Sequence, residues 1–303
     1  MIQGRGAAPA AAALPTTFRR RFKGASAGYL LIAPAVILAV IFLLIPMIVS
    51  AYWSLTEYNG IKPPVFVGLQ NYQDVLSNPR FQRSLQNTIF FVVMGMAIGP
   101  LLGLGSALLL NTKLRFRSFY RTAFFLPTMT SLVVVATIWK FLYADNGIIN
   151  AVIGLFGIPG QPWLNDPTTA LPAVVVTAIW QGFGFETVVF LAALQAVPRE
   201  HYEAATVDGA GRWASFRWIT LPALRPTIVF VYVIGIIGSF QTFDQVYVMT
   251  NGGPISATPT VVFDLVDRFN KLDIGGASAV AYILLVVLAL VSYLQLRLGD
   301  RGD

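Results

Sequence analysis

The 303-residue sequence contains no cysteine and a single histidine, His201. Without thiols there is no disulfide, no thiolate metal site and no cysteine nucleophile. One imidazole excludes a histidine-clustered metal site and leaves little for histidine-based catalysis. Charge is scarce as well: Asp, Glu, Lys and Arg make up 12% of the residues against 56% apolar ones, about half the charge of an ordinary globular domain. That balance argues against any soluble domain. No phosphate-binding G-x-x-x-x-G-K-[ST] run and no H-E-x-x-H pair occurs, so nucleotide hydrolysis and zincin chemistry lack their usual residues. The formal charge of +7 could indicate nucleic acid, but no Arg/Lys stripe is interleaved with aromatics.

What is present is a series of long apolar windows. A membrane-spanning helix needs roughly 20 apolar residues, because its backbone must satisfy its own hydrogen bonds in lipid. Charge-free windows lie between Lys23 and Glu57 (centred on Tyr29 to Val49), Arg83 and Lys113, and Arg121 and Lys140. A fourth runs from about Leu171 to Ala196, interrupted only by Glu186; Arg225 to Asp244 and Asp273 to Arg297 bracket the last two. The predicted class is an all-α membrane protein with six transmembrane helices over residues 28–297.

Lys and Arg set the orientation. With an inner N-terminus, the inner segments hold Arg5, Arg19, Arg20, Arg21, Lys23, Lys113, Arg115, Arg117, Arg121, Arg199, Arg212, Arg217, Arg225, Arg297 and Arg301. The outer segments keep Lys62, Arg80, Arg83, Lys140, Arg268 and Lys271. Fifteen against six places both termini in the cytoplasm. Residues 1–18 are Ala/Pro-rich and read as disordered; with the basic cluster they make a tail over 1–27, mirrored by a short tail over 298–303. The first apolar run reaches spanning length without a clear cleavage site, so an uncleaved helix is expected rather than a signal peptide. Ile148 to Ile158 is too short to span and is expected to lie along the outer interface.

Between the fourth and fifth windows, at about 198–222, lies a charged stretch rich in small residues. Pro198 suits a helix start, and Glu200 and Glu203 fall early in that helix, where its dipole favours carboxylates. Ala204, Ala205, Gly209 and Ala210 present almost no bulk, so another surface can approach the backbone. Glu203 and Asp208 offer charge to a basic partner, Phe216 and Ile219 return to the apolar side, and Leu221-Pro222 turns toward the fifth window. An ordinary interfacial loop packed against the protein's own helices would have the same composition.

The longer order of residues is more specific. Glu203-Ala204-Ala205, Asp208-Gly209-Ala210, Phe216 and Ile219-Thr220-Leu221-Pro222, with nine residues between Gly209 and Ile219, resembles the coupling loop of binding-protein-dependent ABC importer permeases. Val67-Gly68-Leu69-Gln70-Asn71-Tyr72, Ala192 to Pro198, and Phe243 to Pro254 are similar to segments of the carbohydrate-type branch, the maltose-permease-like and glycerol-phosphate-permease-like group. The resemblance implies the type I importer permease fold in a prokaryotic cytoplasmic membrane. It implies transport of a sugar or related solute by alternating access, with no catalysis and no cofactor in this chain. The implied partners are a second permease subunit, an ATPase pair holding ATP and Mg, and an extracytoplasmic solute-binding protein. Coupling to the ATPase falls on Glu203, Ala204, Ala205, Asp208, Gly209, Ala210, Phe216, Ile219, Leu221 and Pro222.

A carboxylate inside a span is a functional candidate by default. Glu186, with Trp180, Gln181 and Phe185 beside it, suits a sugar's hydroxyls and CH faces; it could equally pair with a partner permease or with Lys140. Gln241, Asp244 and Tyr247 near the outer end of the fifth window are further solute-path candidates, for contact or gating. Gly95, Gly99 and Gly103 recur every four residues and are expected to pack against another helix, and Pro127 is expected to kink the third span. No metal site is expected, and His201 reads as an exposed residue of the coupling helix. The rival reading is an ion-coupled secondary transporter using Glu186 and Asp244, which would leave the 198–222 stretch unexplained.

Overall fold

The computed structural model describes residues 19–112 and 115–300. The tail expected over 1–18, Lys113 and the terminal Arg301-Gly302-Asp303 lie outside the described residues. The chain divides into two units, up to Ser50 and from Ala51 onward.

The first unit is helical: α1 (Arg19–Ala39), a π-helical segment (Val40–Leu44), then the beginning of α2 (Ile45–Ser54). The wide turn directly precedes Pro46, whose ring would collide with the carbonyl four residues back in a regular α-helix. The helix already begins at Arg19, so the basic cluster is helical. Gly24-Ala25-Ser26-Ala27-Gly28 has the letters of a hydrolase nucleophile elbow, but it lies inside α1 and lacks the strand-to-helix turn that motif needs.

In the second unit a two-stranded hairpin, β1 (Thr56–Glu57) against β2 (Val65–Phe66), pairs Thr56 with Phe66. Helices α3 (Gln70–Ser77), α4 (Pro79–Leu110), α5 (Arg117–Met129), α6 (Leu132–Leu142) and α7 (Ile148–Gly154) follow. Next come α8 (Ala170–Ala196), α9 (Arg199–Val207), and a short helix made of α10 (Arg212–Ser215), a π turn (Phe216–Thr220) and α11 (Leu221–Ala223). The chain finishes with α12 (Arg225–Phe240), α13 (Asp244–Met249), α14 (Val261–Asn270) and α15 (Ile274–Asp300). At α4, Asn78 caps the start by accepting the Arg80 N–H at 2.9 Å, with Pro79 at the first position, where its missing N–H costs nothing.

Among the described residues four helical runs are long and apolar enough to cross a membrane: Gly28–Ser54, Pro79–Leu110, Ala170–Ala196 and Ile274–Arg297. Two further windows form bent pairs, α5 with α6 at 101° and Arg212–Ala223 with α12 at 62°. The third window is therefore broken rather than merely kinked. Pro127 sits two residues before the end of α5, and Thr130 and Ser131 adopt extended ψ values of 142° and 135°. The fifth window is also shorter than the sequence implies: α12 stops at Phe240, and Asp244 opens the separate helix α13.

Glycine decides how closely the long helices meet. A Cβ at Gly99 would lie 3.1 Å from the Glu186 carboxylate oxygens, and one at Gly103 only 2.6 Å from the Glu186 Cβ. Gly95 faces Ser239 of α12. The every-fourth-residue stripe on α4 thus receives α8 at Gly99 and Gly103 and α12 at Gly95, as small residues allow in lipid, where van der Waals packing replaces the hydrophobic effect. At Gly184 a Cβ would run into the Phe124 carbonyl of α5. Buried clusters flank these crossings, with Phe91, Val174 and Ile179 in one and Ala107, Phe190 and Leu224 in another.

Helix α14 is fastened to α4 by polar contacts. The Val261 N–H donates to Thr88 Oγ1 at 2.9 Å, and Asn87 Nδ2 donates to the Pro259 carbonyl at 3.0 Å. Asp264, 1% exposed, receives Arg268 Nε at 2.8 Å, and Arg80 reaches Asp267 at 2.8 Å. Burial would lower the Arg268 pKa, but the hydrogen bonds and charges of Asp264 and Asp273 hold it above its ordinary value.

Gly184→Val should destabilise the protein by about 1–3 kcal/mol through overpacking, while Gly105→Ala, at a position with open space, should not. Thermal unfolding in detergent checks the pair; equal midpoints would show that α5 and α8 do not depend on the close crossing.

Candidate functional site: the α8–α12 connection and the cavity beside Glu186

The connection between α8 and α12 begins at Pro198, which caps α9 from outside rather than occupying its first turn. Glu200 lies in the first turn as expected, and Glu203 one turn later. Glu203, Ala204, Val207, Asp208 and Gly209 are exposed, while Tyr202, Ala205 and Ala210 are half-buried. The helix ends in a Schellman cap: the Gly209 N–H donates to the Thr206 carbonyl at 3.1 Å and the Ala210 N–H to the Ala205 carbonyl at 2.8 Å. This motif requires a left-handed residue, and Gly209 supplies it at φ 79°. A Cβ there would meet nothing within 4 Å. Gly209 is thus required by backbone conformation, a reason that composition alone hides behind small size.

The Tyr202 hydroxyl lies 3.0 Å from Thr220 Oγ1 in a hydrogen bond, tying α9 to the π turn. The π turn closes where the Leu221 N–H donates to the Phe216 carbonyl. Phe216, Ile219 and Leu221 are half-buried and Pro222 is exposed. Leu224, fully buried among Ala107, Leu110, Phe190, Leu191 and Val231, anchors the far end. A displacement of α9 therefore has a direct mechanical route into α12. The Tyr202–Thr220 contact was not legible in the sequence, since it joins residues eighteen positions apart with no periodic signal.

A second feature is a cavity of about 290 Å³ among α4, α8, α12 and α13. Four solute-path candidates line it: Phe185, Glu186, Gln241 and Asp244. Glu186 is 8% exposed, and its Oε2 is buried without a hydrogen-bond partner. It forms no pair with Lys140, whose Nζ donates to the Val248 carbonyl at 3.3 Å. The other three candidates lie elsewhere. Trp180 packs edge-to-face on Trp139 at 5.4 Å, and Tyr247 stacks on Phe243 at 5.1 Å. Gln181 belongs to a buried amide chain. Gln245 Nε2 donates to Gln181 Oε1 at 3.0 Å, and Gln181 Nε2 donates to the Thr130 carbonyl at 3.2 Å, one of the groups freed by the α5–α6 break. Ser239 and Gly235 also line the cavity; the run Gly235, Gly238, Ser239 on α12 was a readable signal for such a small-residue face. Among the described residues no group of three His, Cys, Asp or Glu could hold a metal ion, and His201 is exposed.

Residues 99–302 match the family described as binding-protein-dependent transport system inner membrane component. The lactose transport system permease protein LacF of Rhizobium radiobacter is 35% identical over 276 residues, covering 88% of this chain and 92% of that protein. The trehalose/maltose transport system permease protein MalF of Thermococcus litoralis is 32% identical over 285 residues, covering 93% and 97%. Among solved structures, a chain of a bacterial ABC transporter involved in alginate import superposes with a TM-score of 0.81 at 24% identity, covering 94% of this chain and 99% of that one. Taken with the helical architecture, these likenesses show that this chain belongs to the binding-protein-dependent transport system inner membrane components, as a multi-pass permease subunit of an ABC importer.

Proposed function

We propose that this permease carries a sugar or sugar derivative inward by alternating access, and that α9 is the lever on which a separate ATPase acts. The exposed, acidic, Schellman-capped face of α9, bonded to the π turn through Tyr202 and Thr220, is the observation that carries the reading. It offers Glu203 and Asp208 to a basic receptor, with Ala204 and Gly209 adding no bulk. The half-buried Ala205, Ala210, Phe216, Ile219 and Leu221 hold that face to the spans, and the exposed Pro222 turns the chain toward α12. Relatives named for lactose and for trehalose/maltose transport support a carbohydrate substrate.

In this reading α5 with α6 makes one crossing and α12 another, giving six spans over 28–297 with the connection at 198–222 and both termini cytoplasmic. The fifteen-to-six bias of Lys and Arg supports that orientation. The chain itself holds no cofactor and performs no hydrolysis; ATP and Mg belong to a pair of ATPase subunits. A second permease subunit completes the path, and an extracytoplasmic binding protein delivers the solute. A structural relative of the fold was solved in complex with an alginate-pentasaccharide-bound periplasmic protein, which supports such a partner. The solute passes the cavity that Phe185, Glu186, Gln241 and Asp244 line. Ion coupling through Glu186 and Asp244 would give α9 no task.

Gly209→Val forces a β-branched residue into a left-handed conformation that costs an L-residue roughly 1–2 kcal/mol, whereas Asn tolerates it. Uptake and solute-stimulated ATPase activity should drop about tenfold in Gly209→Val and stay near wild type in Gly209→Asn; indistinguishable variants would refute the cap. Glu203→Lys should abolish uptake while the protein remains in the membrane, and unimpaired uptake would remove α9 from coupling. Glu186→Ala should slow transport of solute already loaded on the binding protein. Unchanged transport kinetics would take Glu186 out of the path.

A further inference from the structure

The helix between α9 and α12 has a second face that coupling to α9 does not use. Ala214, Ser215, Phe216, Ile219 and Thr220 turn inward, whereas Arg212, Trp213, Arg217 and Trp218 are exposed, the two indoles to 74% and 73%. The two Arg-Trp pairs stand five residues apart. The first pair opens α10 and the second stands within the wider π turn at Phe216–Thr220, and all four side chains are exposed. The Arg217 guanidinium lies over the Trp218 ring at 5.2 Å, and Trp213 leans on Phe216 at 5.6 Å.

This face carries the charge opposite to that of α9, so a basic receptor for Glu203 and Asp208 would repel it. Its orientation is also distinct: Arg212–Ala223 bends 62° away from α12, the attitude of a helix leaving a span to lie along the bilayer surface. Indoles prefer that boundary, and guanidinium groups there attract anionic headgroups. Beneath Trp218, a groove of about 400 Å³ is lined by Ala193, Ala196, Val197, Pro198, Ile219 and Ala223, with His201 at its α9 side, so most of its wall is apolar and suits a lipid tail.

We propose that Arg212, Trp213, Arg217 and Trp218 form a binding surface for anionic phospholipid, with headgroup phosphate on the two arginines and an acyl chain in the groove beside Trp218. Bound lipid then fixes the height at which α9 stands off the membrane. This goes beyond coupling to the ATPase: Arg212, Trp213, Arg217 and Trp218 are not among the coupling residues, although Ile219 borders the groove as well.

The test is native mass spectrometry of the intact transporter complex released from nanodiscs of phosphatidylcholine with phosphatidylglycerol. Wild type should retain phosphatidylglycerol over phosphatidylcholine. With about fivefold per arginine near an anionic surface, Arg212→Gln with Arg217→Gln should reduce that preference on the order of 25-fold. The Arg212→Lys with Arg217→Lys variant should keep it, and so controls for misfolding. An undiminished preference in the Gln variant, or its loss in the Lys variant, would overturn the proposal. So would loss of the ATPase subunits from the Gln variant with lipid retention unchanged, which would assign this face to the ATPase instead.

Discussion

Everything in the second unit depends on how closely α8 can lie in the glycine groove of α4. In a bilayer, neighbouring helices gain no hydrophobic free energy by leaving lipid, so association rests on close van der Waals contact and buried polar bonds. Gly99 and Gly103 permit that contact, and Glu186 fills the space where their side chains would stand. The same crossing therefore seats a carboxylate against helix backbone and leaves one of its oxygens buried and unpartnered. Packing and a functional candidate are here one feature: larger residues at Gly99 or Gly103 would remove the position that makes Glu186 a candidate.

From this crossing the structure works outward in two directions. Toward one end, the cavity opens where α12 gives way to α13 and where α5 breaks before α6. Broken spans supply free backbone carbonyls at membrane depth, and the Gln245–Gln181–Thr130 chain satisfies one of them. Toward the other end, α8 stops at Ala196 and the chain enters α9, whose cap and Tyr202 bond make it a stiff projection. In the proposed reading a stiff connection matters, because a lever that bent under load would dissipate an ATPase stroke before it reached α12.

Much of this architecture was legible in the sequence, and the limits have physical causes. Charge-free windows located the long helices because the bilayer demands uninterrupted apolar length, and the α4 glycine stripe announced its own packing. Pro127 shows where the third window loses regularity but not how far the chain turns, so the sequence implies a kink where the structure breaks by 101°. The charge-free window runs on to Asp244 although polar Gln241 and Thr242 follow Phe240, which is why the sequence puts Asp244 at a span end while the helix stops at Phe240. Trp180 and Gln181 stand six and five residues before Glu186, so helical rotation turns them to other faces of α8, where they meet Trp139 and the Gln245–Thr130 chain; Tyr247 shares a face with Asp244 but stacks on Phe243. The signature residues of the 198–222 connection were readable, but the Schellman geometry that explains Gly209 required the hydrogen bonds.

The central claim is that α9 is the contact through which a separate ATPase moves this permease. It is tested most directly by placing a photo-crosslinking amino acid at Ala204, which is exposed on α9, and irradiating native membranes. The account predicts a covalent adduct to a polypeptide carrying a G-x-x-x-x-G-K-[ST] phosphate loop, with a yield that changes when ATP binds. Adducts confined to lipid, or to this chain's own helices, would contradict it.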